Sequence, residues 1–173
     1  GSILRPVKRC ILKMIKIKIT KEQIYRAKKL YTFSQLKGSI TKGQSNIYGA
    51  LGEIIVYDIN KEKGLTVDFN STYDYDLIIA GYKIDVKTKR TTVVPKPEYL
   101  CSISAFNTKQ KCDFYFFLRI NENLKECYLL GYKDKKSFFK ESTFNKKGTL
   151  DVNGWHFKDD CYNLKIELLN NFK

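Results

Sequence analysis

The chain has 173 residues, 43% of them hydrophobic and 14% aromatic, which suffices for one domain with a sizeable core and excludes a disordered tail as its main content. A formal net charge of +14 favours a polyanionic partner over a basic one. Five cysteines at irregular spacing and a single histidine, His156, argue against a zinc site, and free thiols without a secretory signal point to a reducing, cytoplasmic setting.

Gly1-Ser2 has the form of a cleavage scar and Met14 that of a native start, so residues 1–13 are expected to be a vector-derived tag. They carry Arg5, Lys8, Arg9 and Lys13 and no acid, which leaves +10 on residues 14–173. Ile11 to Ile19 is apolar but broken by Lys13, Lys16 and Lys18, too short and too charged to span a membrane. Within it, residues 15–19 alternate as a strand. Thr20 then caps a helix, with Gln23 completing a capping box, and Ile24, Ala27, Leu30, Tyr31 and Phe33 mark its buried stripe. Lys21, Arg26, Lys28 and Lys29 read equally as a solvated face or as phosphate contacts. Residues 37–46 are a polar loop carrying Lys42. A second helix, from about Ile47 to Ile59, buries Ile47, Leu51, Ile54, Ile55 and Ile59 and brings Glu53 beside that stripe. Taken alone, Glu53 reads as the stripe's edge.

Leu65 to Phe69 reads as a strand and Asn70 to Tyr73 as a turn. Asp74 to Arg90 then forms a hairpin: Leu77-Ile78-Ile79, a turn at Ala80-Gly81, and an alternating return strand. In Lys83-Ile84-Asp85-Val86-Lys87 the period of two puts Asp85 and Lys87 on one face and Ile84 and Val86 on the other. Thr91 to Pro97 is an irregular loop and Glu98 to Ser104 a strand, while Ala105 to Lys111 fits either a short helix or a loop. Asp113 to Ile120 reads as a central strand partnered by Glu126 to Tyr132, and Lys133 to Lys140 as a short helix. Asn145 to Gly154 is a loop, and Trp155 to Leu168 adds a late strand. Cys101 and Cys127 lie in apolar runs as small core residues, and Trp155-His156 with Asp159-Asp160 read as packing. The economical fold is α/β: a single domain with a mixed central β-sheet flanked by helices.

The order is Glu53 on a helix, Asp76 entering a strand, then Asp85-x-Lys87 on the return strand. A hairpin brings Asp76 near Asp85, and two carboxylates with an ammonium on one sheet face are costly unless something binds them; a divalent cation is the usual answer. Such hard oxygen ligands suit Mg²⁺, with Mn²⁺ as a substitute, and Lys87 is placed to orient water or to stabilise charge on a phosphate.

Gly49-Ala-Leu-Gly-Glu53, Asp76 and Asp85-Val86-Lys87 together resemble the PD-(D/E)XK nuclease superfamily, the restriction-endonuclease-like fold, in its compact, phage-type or resolvase-like members. Asp85 stands where that family often has Glu, and Tyr75 where it often has proline. The resemblance covers roughly residues 47–120 and implies a nuclease domain at 14–173 with its core at about 47–132. It implies a magnesium-dependent DNA endonuclease in which Glu53, Asp76 and Asp85 hold the metal and Asp85 and Lys87 align the water. Gln110 and Asp74 are accessory candidates, Gln110 reading equally as part of a polar loop and Asp74 as the lesser rival of Asp76. Lys42, Lys89, Arg90 and Lys96 are candidates for gripping the nucleic-acid backbone. DNA is the expected partner, with RNA open, no membrane, and a homodimer by analogy; a phage-encoded chain would act in its host's cytoplasm. Two rivals stand beside this reading: a non-catalytic nucleic-acid-binding or accessory protein on the same fold, and a globular interaction protein whose charge serves solubility. Salt-sensitive DNA binding separates the last from the others.

Overall fold

A computed structural model describes residues 14–36, 47–70 and 72–172; the expected tag at 1–13, with Cys10, and the loop at 37–46, with Lys42, lie outside the described residues. Strand β1 (Ile15–Lys18) leads into helix α1 (Lys21–Leu36), which starts on the expected capping box. The Gln23 amide N–H donates to Thr20 Oγ1 at 3.1 Å and the Thr20 N–H to Gln23 Oε1 at 3.0 Å, which satisfies two donors the first helical turn leaves open. Ala27 is buried and Ile24 and Leu30 pack on the same core, but Phe33 is exposed, so the stripe ends earlier than its spacing suggests. Arg26 is spent inside the fold. One guanidinium nitrogen lies 2.9 and 2.8 Å from the two Asp58 oxygens, and Gln23 donates to the same carboxylate at 3.0 Å, tying α1 to helix α2 (Ile47–Glu62).

Leu51, Ile54, Ile55 and Val56 bury the inner face of α2. Gly52 lies against the strand beneath, where a methyl group would collide with the Thr88 hydroxyl, so the absent side chain sets how near the helix can come. Strands β2 (Val67–Phe69), β3 (Leu77–Ile79) and β4 (Tyr82–Thr91) form a meander. Ala80 and Gly81 both have positive φ, 49° and 86°, the two-residue turn whose twist suits a hairpin. After β5 (Leu100–Ser104) and a single 3₁₀ turn at Ala105–Asn107, β6 (Phe114–Asn121) returns parallel to β4 and continues into its antiparallel partner β7 (Glu126–Asp134). The resulting six-stranded mixed sheet has the order β1-β7-β6-β4-β3-β2.

Helices α1 and α2 cover one face of this sheet, over Ile84, Val86, Leu118 and Ile120. The other face also carries a helix, as flanking helices imply, but it shares that face with a second sheet that the sequence reading does not foresee. That face, rich in aromatics (Tyr115, Phe117, Tyr128), is covered by helix α3 (Lys135–Glu141) and by a second, three-stranded sheet of order β5-β9-β8, with β8 at Thr143–Asn145 and β9 at Cys161–Lys165. The late strand expected from Trp155 therefore starts only at Cys161. Cys101, Cys112, Cys127 and Cys161 are all buried and unpaired, and burial pushes the Cys101 and Cys127 thiols up to about 12, in keeping with core residues. No described helix is long and apolar enough to cross a membrane.

Candidate catalytic site

Strand β4 divides as its alternation predicts. Ile84 and Val86 enter the core under α2, and Asp85 and Lys87 face the opposite side, in register with Tyr115 and Phe117 of β6. Leu77 pairs with Ile84, which leaves Asp76 just ahead of β3 at the level of Asp85. There the Asp76 N–H donates to the Ile84 carbonyl at 2.9 Å, and the Val86 N–H donates to Asp76 Oδ2 at 2.8 Å. The side chain thus takes over a ladder position at the mouth of the hairpin. The close approach at Gly52 delivers its neighbour, Glu53, to the same place. Glu53 is within hydrogen-bonding reach of Asp76, and Asp76 of Asp85.

Three carboxyl groups so placed cannot all ionise cheaply. Burial, foremost, and repulsion from Asp85 push Glu53 up to about 7. Burial and the charge of Glu53 hold Asp76 well above the usual carboxylate range. Burial and repulsion from Asp76 raise Asp85 to about 7 even though Lys87 pulls the other way. The Lys87 ammonium is 2.8 Å from Asp85 Oδ2, 3.3 Å from Gln110 Oε1, and 5.9 Å from the centre of the Tyr115 ring.

Gln110 belongs to this cluster. It is 5% exposed; its amide donates to the Tyr73 carbonyl at 2.8 Å and stands 3.4 Å from Asp85 Oδ1, while the Lys135 ammonium donates to its backbone carbonyl. The loop reading of Gln110 describes its backbone, which follows the 3₁₀ turn, but not its side chain. Asp74 does not join the carboxyl cluster: its Oδ1 accepts from the Lys111 N–H at 3.0 Å and pins the loop bearing Gln110 against the hairpin. Of the backbone-gripping candidates, Lys89 lies on the Lys87 face of β4, Arg90 alternates to the other face, and Lys96 is exposed on the following loop. His156 bonds the Gly148 carbonyl through Nδ1 at 3.0 Å, and Asp160 accepts from the Lys147 N–H at 2.8 Å, so both serve their own loop. Tyr115 is the residue that sequence reasoning missed. It reaches the site because it pairs with Asp85 across a parallel register, which only strand alignment reveals.

The donor set fits a hard divalent cation: three carboxyl groups, no sulfur, and a buried Asp85 Oδ2 that has no hydrogen-bond partner besides its ion pair with Lys87. Among the described residues, no three His, Cys, Asp or Glu side chains are grouped as a ready-made metal site, and carboxyls with raised pKa values would have to lose their protons to ligate an ion. No protein-family model and no curated protein sequence matches this chain.

Proposed function

We propose that this protein is a metal-dependent nuclease that hydrolyses phosphodiester bonds in DNA, acting as an endonuclease of the PD-(D/E)XK, restriction-endonuclease-like kind. One observation carries the reading: Glu53, Asp76, Asp85 and Lys87, drawn from a helix and both arms of a hairpin, converge in one cluster in which Asp85 is buried and the other three are half-buried. The order of helix, hairpin and parallel return strand agrees with that family, as a fold-level analogy. Glu53, Asp76 and Asp85 would hold Mg²⁺, or Mn²⁺ in its place, and the ion supplies a bound water of lowered pKa and positive charge beside the phosphate. Lys87 and Asp85 align the attacking water. The Lys87 ammonium, fixed by Asp85 and Gln110, donates to a phosphate oxygen as negative charge builds on it.

Incubation with plasmid, single-stranded, branched and RNA substrates in Mg²⁺, Mn²⁺ or EDTA, with Lys87→Ala and Asp85→Ala in parallel, tests this. Metal-dependent cleavage lost in both variants is expected; cleavage that survives both overturns the assignment. A second reading, a non-catalytic nucleic-acid-binding protein on the same fold, is favoured by the way Lys87 already occupies Asp85 Oδ2. Salt-sensitive binding with no cleavage in either metal would select it.

A further inference from the structure

A second group of charges lies further along β4. Lys89 follows Lys87 on the same face, about 7 Å along the strand. In the parallel register it pairs with Arg119 of β6, which is 7% exposed. That guanidinium donates to the Leu100 carbonyl at 3.0 Å and lies 5.3 Å from the centre of the Tyr99 ring. Among the described residues no carboxylate forms an ion pair with Arg119, Lys89 or Lys158. Lys158 is near enough to act on Lys89. Burial first, then Arg119 and, less strongly, Lys158 lower the Lys89 pKa, while Cys101 and Asp151 offset this only in part. Asp151 is engaged elsewhere, accepting from the Asn153 N–H and side-chain amide at 3.2 Å each. Arg119 is buried without an acid, and Lys89 and Lys158 are exposed in front of it, so the group presents an excess of positive charge to solvent that suits an anion.

An aromatic ring borders these cations. Trp155, the only tryptophan in the chain, lies with its ring centre 5.9 Å from the Lys89 ammonium and is 42% exposed. It is held in place: its ring meets Phe157 edge-on at 4.9 Å, its carbonyl accepts from the Asp151 N–H at 2.7 Å, and the next residue, His156, bridges to Leu150. Cations beside a fixed, partly exposed indole match a phosphate joined to a flat π-system, which is a nucleotide. A base inside an intact duplex has both faces stacked, so an indole can receive one only where the strand is unpaired.

We propose that Lys89, Lys158 and Trp155, backed by the buried Arg119, form a subsite for one unpaired nucleotide, with its phosphate on the two lysines and its base against the indole. Resting on the nuclease reading above, the strand presented to Asp85 and Lys87 is then single-stranded or locally opened, rather than closed duplex.

Because Trp155 is the sole indole, its fluorescence reads this subsite without any need for turnover. The full chain in EDTA is titrated with a short oligothymidylate, the matching oligouridylate and a blunt duplex. Wild type, Lys89→Ala, Lys158→Ala and, as a control on the far edge strand β1, Lys16→Ala are compared, and binding is followed in parallel by anisotropy of a labelled strand. Single strands quench Trp155, with a midpoint about tenfold weaker in Lys89→Ala and Lys158→Ala, little changed in Lys16→Ala, and weaker still for the duplex. The two single strands show whether deoxyribose or ribose is preferred. Absence of quenching, a midpoint unmoved in both Lys89→Ala and Lys158→Ala, or duplex binding as tight as single-strand binding overturns the subsite. Cleavage in Mg²⁺ by the same preparations separates the two proposals. Cleavage without quenching removes only the subsite, and quenching without cleavage in Mg²⁺ or Mn²⁺ removes only the catalytic reading.

Discussion

The two ends of one face of β4 solve opposite problems. Around Asp85, acids outnumber bases: three carboxyls share Lys87, and their pKa values rise until protons or a cation relieve them. Around Lys89, bases outnumber acids, and Arg119 is buried with a carbonyl and a ring for company. The difference teaches that the excess sign of a cluster, more than any single residue, is what the two proposals rest on: an excess of acid suits a cation at one end, and an excess of base suits an anion at the other.

The largest test of this contrast is kinetic. Lys87→Ala is expected to lower kcat by about 10²–10³ with little change in KM, because the ammonium acts on charge that develops during reaction. Single-turnover cleavage in Mg²⁺ measures it, and an effect confined to KM would make Lys87 a binding residue like its neighbour Lys89.

The acidic end also predicts how stability follows pH. A carboxyl whose folded pKa is raised stabilises the fold fully below its unfolded pKa and loses that contribution as pH rises through the folded value. For Glu53 this runs from 4.5 to about 7, and for Asp85 from 3.8 to about 7, so metal-free protein should be more stable at pH 5 than at pH 8. Glu53→Gln should flatten that decline by roughly 3 kcal/mol at most, read from urea midpoints in EDTA at the two pH values. Equal declines in wild type and variant would show that the cluster bears no such burden.

Gly52→Ala attacks the approach of α2 to β4. A collision with Thr88 should cost about 1–3 kcal/mol and lower cleavage further than stability alone explains, since Glu53 moves with the helix. Unfolding and activity of the purified variant, at a temperature where it is folded, check this. The smallest effect is expected at the basic end. Arg119→Met keeps much of the volume and removes a buried charge that has no acid, so stability should change by about 1 kcal/mol or less while single-strand binding weakens. A large loss of stability would mean that the hydrogen bond to Leu100 is Arg119's main purpose.

Much of this was legible in the sequence where a short-range rule governs the residue. The capping box started α1, the period of two divided β4, and the onset of the apolar run ranked Asp76 above Asp74, which proves to brace a loop. Where position depends on contacts distant in sequence, legibility ended. Gln110 follows a 3₁₀ turn with no periodicity, and its side chain finds the site through Tyr73, 37 residues away. The second sheet was missed because β8 is three residues long and β9 buries Asn163 where alternation expects an apolar side chain. Trp155 was assigned to packing, yet its surface is divided between Phe157 and solvent, a split that no local pattern encodes.

The parallel junction of β4 with β6 carries a further consequence. The β3–β4 and β6–β7 hairpins close over short spans, whereas joining them requires ordering the whole of residues 92–113. Gln110 meets Lys87, and Tyr115 comes beside Asp85, only across that seam. Glu53, Asp76, Asp85 and Lys87 all precede the seam, so a chain opened along it keeps the four charged groups but loses the amide that holds Lys87 and the ring that walls off Asp85.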